Sequence, residues 1–325
     1  MALSPTRRGL LAAPLALAAP RLARADDWPS KPVSIIVGFP PGTATDSVAR
    51  LVADRFSRTL GQRFVVDNRV GQSGSIGAAY VARSTPDGYT ITVGASAPQA
   101  INPHIYPNVG YDPRVDFTTI GQLVQLPYLL VAGQHTGFTN LRDVVEKARK
   151  DPDSVTYATT GNGSTSQLLM AMLAHSTGVR MTQVQYRGTA QSLTDIVAGR
   201  VDLTFDTLIG TMPFARDGKV RPIAVGTAER VGVMPDVPTT AQAGFPAVKG
   251  GAWLGLLGPA GLPPAIVARL DRELSGLLAD PAFGKTITDL GAVVDPAGPE
   301  KFGQILRRDY ESWGEIVRVT GTRAE

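Results

Sequence analysis

From residue 33 onward the chain alternates short β-branched runs with amphipathic stretches. "VSIIVGF" (33–39) is a compact apolar run of the kind that forms a strand buried on both faces. The stretch after it, "TDSVARLVADRFSRTLG", places Val48, Leu51, Val52, Phe56 and Leu60 at helical spacing and predicts one buried stripe. "RFVVDNR" then reads as a strand, "SGSIGAAYVARS" as a helix and "GYTITVGAS" as a strand. This β-α-β-α-β order is the doubly wound pattern. A second series begins with the strand "PYLLVAG" and the helix "TNLRDVVEKARKD", which Thr139 or Asn140 would cap. It continues through "SVTYATTG", "STSQLLMAMLAHSTG", "TQVQYRG", "TAQSLTDIVAGR" and "VDLTFDT", again alternating strand and helix. "VRPIAVGT" adds a strand after a short helix, and the tail reads as mostly helical.

Two such series predict an α/β fold with two doubly wound lobes. "PYLLVAG" is expected to carry the chain into the second lobe and "GAWLGLLGP" to bring it back, so that two crossing strands join the lobes. The expected limits are 26–127 plus 252–325 for the first lobe and 128–251 for the second. A cleft between lobes of this kind is the usual place for a small ligand.

The N-terminus changes the charge picture. Arg7 and Arg8, the apolar "GLLAAPLALAAP" and the small-residue site "ARA" form an export signal, with cleavage expected after about Ala25. The signal is compatible with the Sec route or, through "TRRGLL", the twin-arginine route. Four of the 32 basic residues and none of the 28 acidic ones lie in the first 25 positions, so cleavage leaves 28 of each sign. The basic balance is then no footprint for nucleic acid, and no apolar run is long enough to span a bilayer. The expected location is periplasmic. The 325 residues contain no cysteine, which excludes disulfides, thiol nucleophiles and thiolate metal sites.

Candidate chemistry is sparse. His104, His135 and His175 form no metal-binding spacing, so neither a metal nor a cofactor is expected. "GNGSTS" (161–166) sits at a strand-to-helix turn but lacks the G-x-S-x-G elbow. A secreted serine hydrolase using Ser164 or Ser166 is nevertheless the alternative from another class, and a ligand-sensing regulatory domain is a second. "GQSGSIG" (71–77) resembles a phosphate loop only superficially.

Binding fits the pattern better. A strand that opens a helix through Gly, Ser or Thr presents free N–H groups at the positive end of the helix dipole. Gly42, Thr43, Ala44, Thr45 and Asp46 open one such helix. Gly161, Asn162, Gly163, Ser164, Thr165 and Ser166 open another, and Thr189 and Ala190 follow Gly188 into a third. Asp206, ending "VDLTFD", is placed to accept a hydrogen bond from a ligand or bridging water, or to cap the next helix. Phe39 is placed to pack on a ligand stem or, equally, to fill the lobe interface, and Ser96, closing the third strand, belongs to the candidate set.

The segments together resemble the Bug (Bordetella uptake gene) family of TctC-like extracytoplasmic receptors. The resemblance rests on "WPSKPVSIIVGFPPGTATDSVAR", "VDNRVGQSGSIGA", "TPDGYTITVG", "INPHIYPNVGYDPRVDFTTIG", "YRGTAQSLTDIVAGRVDLTFD", "VPTTAQAGFP" and "WLGLLGPAGLP". It implies a type II periplasmic-binding-protein fold without catalysis. It implies capture of a small organic carboxylate by lobe closure, for a membrane permease of the tripartite tricarboxylate type or a sensor. Carried over by position, the carboxylate grip falls at 42–46 and 161–166, completed by the turn after "QYRG" and by Asp206. A monomer is expected. The chain departs from the usual pattern at Thr43, Gln167 and Gln191 near the expected site, and at Val70, which puts ligand identity in doubt but not the fold.

Overall fold

β1 (Val33–Val37) is central because four of its five side chains are completely buried, as a strand covered on both faces requires. It pairs in parallel with β2 (Phe64–Asn68) on one side and β3 (Thr90–Ala95) on the other. The computed structural model describes residues 28–323. The expected export signal lies outside them.

α1 (Ala44–Leu60) follows β1 and packs Val48, Val52, Phe56 and Leu60 inward, while Leu51 is only half-buried. α2 (Ser75–Ala82) joins β2 to β3. Beyond β3 the chain makes a π-helical turn, Ala97–Ile101, and a short helix α3 (Asn102–Ile105). It then enters β4 (Phe117–Gly133), which has 17 residues. The sequence reading places a strand only at its second half. The first half escapes it because Thr118, Thr119 and Gln122 interrupt the apolar pattern.

The length of β4 joins the two lobes. Residues 117–127 pair antiparallel with β9 (Gly251–Pro259), whereas 128–132 pair antiparallel with β7 (Leu203–Thr207) and 129–133 with β8 (Val220–Val225). Around β7, β5 (Thr156–Thr159) and β6 (Thr182–Gln185) complete the second sheet in parallel. Its helices are α4 (Leu141–Lys150), α5 (Thr165–Thr177), α6 (Thr189–Val197) and α7 (Leu208–Arg216), with Asn140 capping α4. The strand order along the main path is β2-β1-β3-β9-β4-β7-β5-β6, with β8 beside it on β4.

The return at β9 leads to α8 (Pro264–Leu278), α9 (Pro281–Asp289), β10 (Val293–Ala297) and α10 (Pro299–Thr320). β10 pairs antiparallel with β4 and adds a strand to the tail expected to be mostly helical. Its half-exposed "VVDPA" carries a proline and no clear alternation, so only the partner strand defines it. α10 buries Phe302, Leu306, Trp313 and Val317. Its Trp313 meets Gly250, immediately before β9, together with Leu169 of α5. The C-terminal helix therefore braces the point where the chain returns between lobes. No helix among the described residues is long and apolar enough to cross a membrane.

Candidate functional site

The loop from β1 to α1 is built around Asp46. The Gly42 N–H donates to Asp46 Oδ2 at 2.9 Å, Arg50 donates to both carboxylate oxygens at 2.9 Å, and Asn68 Nδ2 donates to Oδ1 at 2.9 Å. Burial pushes this carboxyl up, but the donated hydrogen bonds and the Arg50 charge outweigh it and hold it below the ordinary carboxylate value. Asp46 is thus committed to shaping the loop. Thr43 caps α1: its hydroxyl accepts from the Asp46 N–H and donates to the Pro40 carbonyl. The N–H groups of Ala44 and Thr45, in the open first turn, have no partner among the described residues.

The loop leans on a second loop by direct backbone approach. A side chain at Gly38 would begin 2.6 Å from the Gly74 Cα, and one at Gly74 would begin 3.1 Å from the Phe39 ring. This is what the glycines of "GQSGSIG" accomplish: they let two loops touch main chain to main chain. Phe39 is committed to this contact. The loop also brings Ser73 to the opposite lobe, where its Oγ donates to the Asn162 carbonyl at 2.7 Å. Tyr106 Oη donates to the same carbonyl at 2.8 Å. The 38–46 and 161–166 segments therefore meet through an intermediary, the 71–74 turn, that the sequence offers only as a poor phosphate-loop match.

In the second lobe Ser164 caps α5, its Oγ accepting from the Gln167 N–H at 3.2 Å. Gln167 folds back so that its Oε1 accepts from the Gly163 N–H at 2.9 Å, and its Nε2 donates to Gln183 Oε1 and Asn162 Oδ1. Gln185 also donates to Asn162 Oδ1, at 2.7 Å. The N–H groups of Thr165 and Ser166 are left without partners among the described residues, and the fully buried Ser166 Oγ has none among them either. Ser96 Oγ, at the end of β3, is likewise buried and unpartnered. A buried hydroxyl of this kind can donate to a ligand or to a water.

Thr165, Thr189 and Asp206 come together around Tyr128, which the sequence reading misses. The Thr189 hydroxyl donates to Asp206 Oδ2 at 2.8 Å and the Thr207 N–H donates to Oδ1 at 2.6 Å. The buried Tyr128 lies beside Thr165 and Asp206; burial, with the Asp206 charge adding, pushes its phenol up. Asp206 is buried and makes no ion pair among the described residues. Burial pushes its carboxyl up to about 6 against the lowering effect of its two donors. Ala190, by contrast, is exposed. A broad hollow of about 930 Å³ lies elsewhere, on the first lobe between Lys31, Arg69, Tyr80 and Arg83. Two of its cations are stacked on aromatic rings, Arg69 on Tyr80 and Lys31 on Tyr89.

Among the described residues no histidine bonds to Ser164 or Ser166. His104 bonds to the Tyr310 carbonyl and His135 to Asp202. His175 ends α5, about 13 Å along the helix from Ser166 at the usual rise per residue. No group of acids and histidines among the described residues could hold a metal ion.

The decisive likeness is over most of the chain. The family model for the tripartite tricarboxylate transporter family receptor, TctC, matches residues 48–321. The chain belongs to the TctC family. The Bordetella pertussis protein BugT is 29% identical over 316 residues, covering 97% of this chain and 96% of its own. A Bordetella bronchiseptica relative is 34% identical, covering 97% and 94%. Among solved structures, an R. palustris protein with adipate is 34% identical with a TM-score of 0.87, covering 92% of this chain and all 100% of its own. The periplasmic binding protein BugD is 34% identical with a TM-score of 0.84, at 92% and 100% coverage. MatC from Rhodopseudomonas palustris, solved with bound malate, is 33% identical with a TM-score of 0.83, at 89% and 100% coverage. The TctC chain described here is accordingly a solute-binding receptor and not an enzyme.

Proposed function

We propose that this TctC-family receptor closes its two lobes over a small organic carboxylate and presents it to a membrane permease of the tripartite tricarboxylate type or to a sensor. The observation that carries the reading is the start of α5. There a fully buried, unpartnered Ser166 hydroxyl stands beside two free N–H groups at the positive end of a 13-residue helix. The open first turn of α1 supplies the matching groups at Ala44 and Thr45. Adipate and malate in related structures favour a dicarboxylate. Asp206 then accepts from a ligand hydroxyl or from a bridging water. The lobes run over 26–127 plus 252–325 and over 128–251 in this reading, which the change of partners along β4 supports. The receptor works as a monomer in the periplasm after cleavage near Ala25.

Ser166→Ala tests the reading with malate and adipate as probes in calorimetry. Removing an unpartnered buried hydroxyl leaves nothing orphaned, so the ligand-free protein is expected to keep its melting temperature or gain slightly. Affinity for the dicarboxylate that binds is expected to fall about tenfold, the worth of one charge-assisted hydrogen bond. Equal affinity in the variant, or no binding of any small carboxylate by the unaltered protein, sinks the assignment.

A further inference from the structure

We propose that Ser73 and Tyr106 are positioning residues for this site: their hydroxyls, both from the first lobe, hold the Asn162 carbonyl and latch the lobes together at the entry to α5. The inference rests on the solute-binding reading and names the contact that sets how long the closed form lasts.

One carbonyl oxygen carries the junction. Asn162 O accepts from Ser73 Oγ at 2.7 Å and from Tyr106 Oη at 2.8 Å, so both its lone pairs are engaged from across the cleft. Each lobe prepares its own half. In the second, the Asn162 side chain accepts from Gln185 and Gln167, and the Gly163 N–H is held by Gln167. The carbonyl is thereby aimed outward from a braced loop.

In the first lobe, Gln72 and Ser73 occupy the left-handed region, with φ of 45° and 47°, where residues other than glycine are uncommon. The buried Asn102 maintains that turn: its Nδ2 donates to the Gln72 carbonyl at 2.9 Å, the Ser73 carbonyl at 3.2 Å and Ser75 Oγ at 2.7 Å. A strained turn kept by a dedicated buried amide is a costly way to deliver one hydroxyl unless the hydroxyl has a task. Tyr106 is a dependable donor, because partial burial pushes its phenol up and keeps it protonated. Opening the lobes exchanges both bonds for bonds to water. The latch is therefore reversible, and it biases the equilibrium between closed and open forms with or without ligand.

The absence of cysteine makes the test direct. Arg58→Cys on α1 and Lys150→Cys on α4, both exposed, accept a pair of dyes whose energy transfer reports lobe separation. Adding Ser73→Ala with Tyr106→Phe is expected to lower the closed-to-open ratio of the ligand-free protein about tenfold, as the loss of two neutral hydrogen bonds implies. The melting temperature is expected to change little. Each single variant gives part of the effect. For whichever of malate or adipate binds, the dissociation rate rises by a similar factor and the association rate holds. An unchanged distance distribution, or a change confined to the melting temperature, overturns the latch. If neither acid binds even with the latch intact, the carboxylate reading fails, while the ligand-free distances still decide the latch.

Discussion

Asp206→Asn is expected to raise the stability of the ligand-free protein at pH 7.5 while weakening ligand capture. The Asp206 carboxyl titrates at about 6 in the folded protein against an ordinary value of 3.8. Between those values the native state retains a proton that the unfolded chain has lost, so stability from this group is fully present below about pH 4. It is lost as pH rises through about 6 and stays lost above. At pH 7.5 the buried charge costs about 3 kcal/mol. Asparagine removes that cost and still offers the Thr207 N–H an acceptor and the Thr189 hydroxyl a partner. Denaturant titrations of both proteins from pH 3.5 to 8 should show curves that coincide at the acid end and separate as pH rises. Affinity measured in parallel should fall in the variant, since an amide is a weaker acceptor than a carboxylate. A variant no more stable at pH 7.5 than at pH 3.5, relative to the parent, refutes the buried-charge account.

Gly38→Ala is expected to destabilise the fold by about 1–3 kcal/mol, the usual cost of overpacking. Its new methyl carbon would begin 2.6 Å from both the Gly74 Cα and the Gly74 carbonyl oxygen, and backbone cannot swing aside as a flexible side chain can. The 71–74 turn must retreat and take Ser73 with it, so lobe closure and ligand affinity should suffer together. Gly276→Ala is the control. It lies within α8 with nothing within 4 Å of the added carbon, and alanine there should be neutral or slightly stabilising. Urea midpoints of the two variants separate the effects; a Gly38→Ala protein as stable as Gly276→Ala would show that the loops do not depend on their close approach.

Much of the fold is legible along the chain because it is written in local periods. "VSIIV", "LTFDT" and "GAWLGLLGP" are strands by composition alone, and α1 and α4 carry an apolar stripe with a cap. β10 and the first half of β4 are not legible, because their pairing comes from strands far away in sequence. The site divides in the same way. The segments that open α1 and α5 can be read as helix N-termini, and Asp206 as the end of a strand. Their division of labour cannot. Asp46, offered as a ligand contact, is occupied by Arg50, Asn68 and Gly42, and Ser164 is occupied as a cap. Tyr128, Asn102 and Tyr106 give no signal beforehand, since a lone tyrosine or asparagine in an apolar stretch has no period or spacing to mark it.

The sequence by itself determined the order of most strands and helices, the two-series architecture and the kinship with the TctC receptors, because hydrophobic period, turn chemistry and capping are properties of neighbours in the chain. The tertiary structure alone decided which polar groups are spent on holding the loops and which are left free. That choice depends on distances between residues far apart in the chain, such as Ser73 and Asn162, 89 positions apart. A hydrogen bond is satisfied or not only once both partners have been brought to the same place.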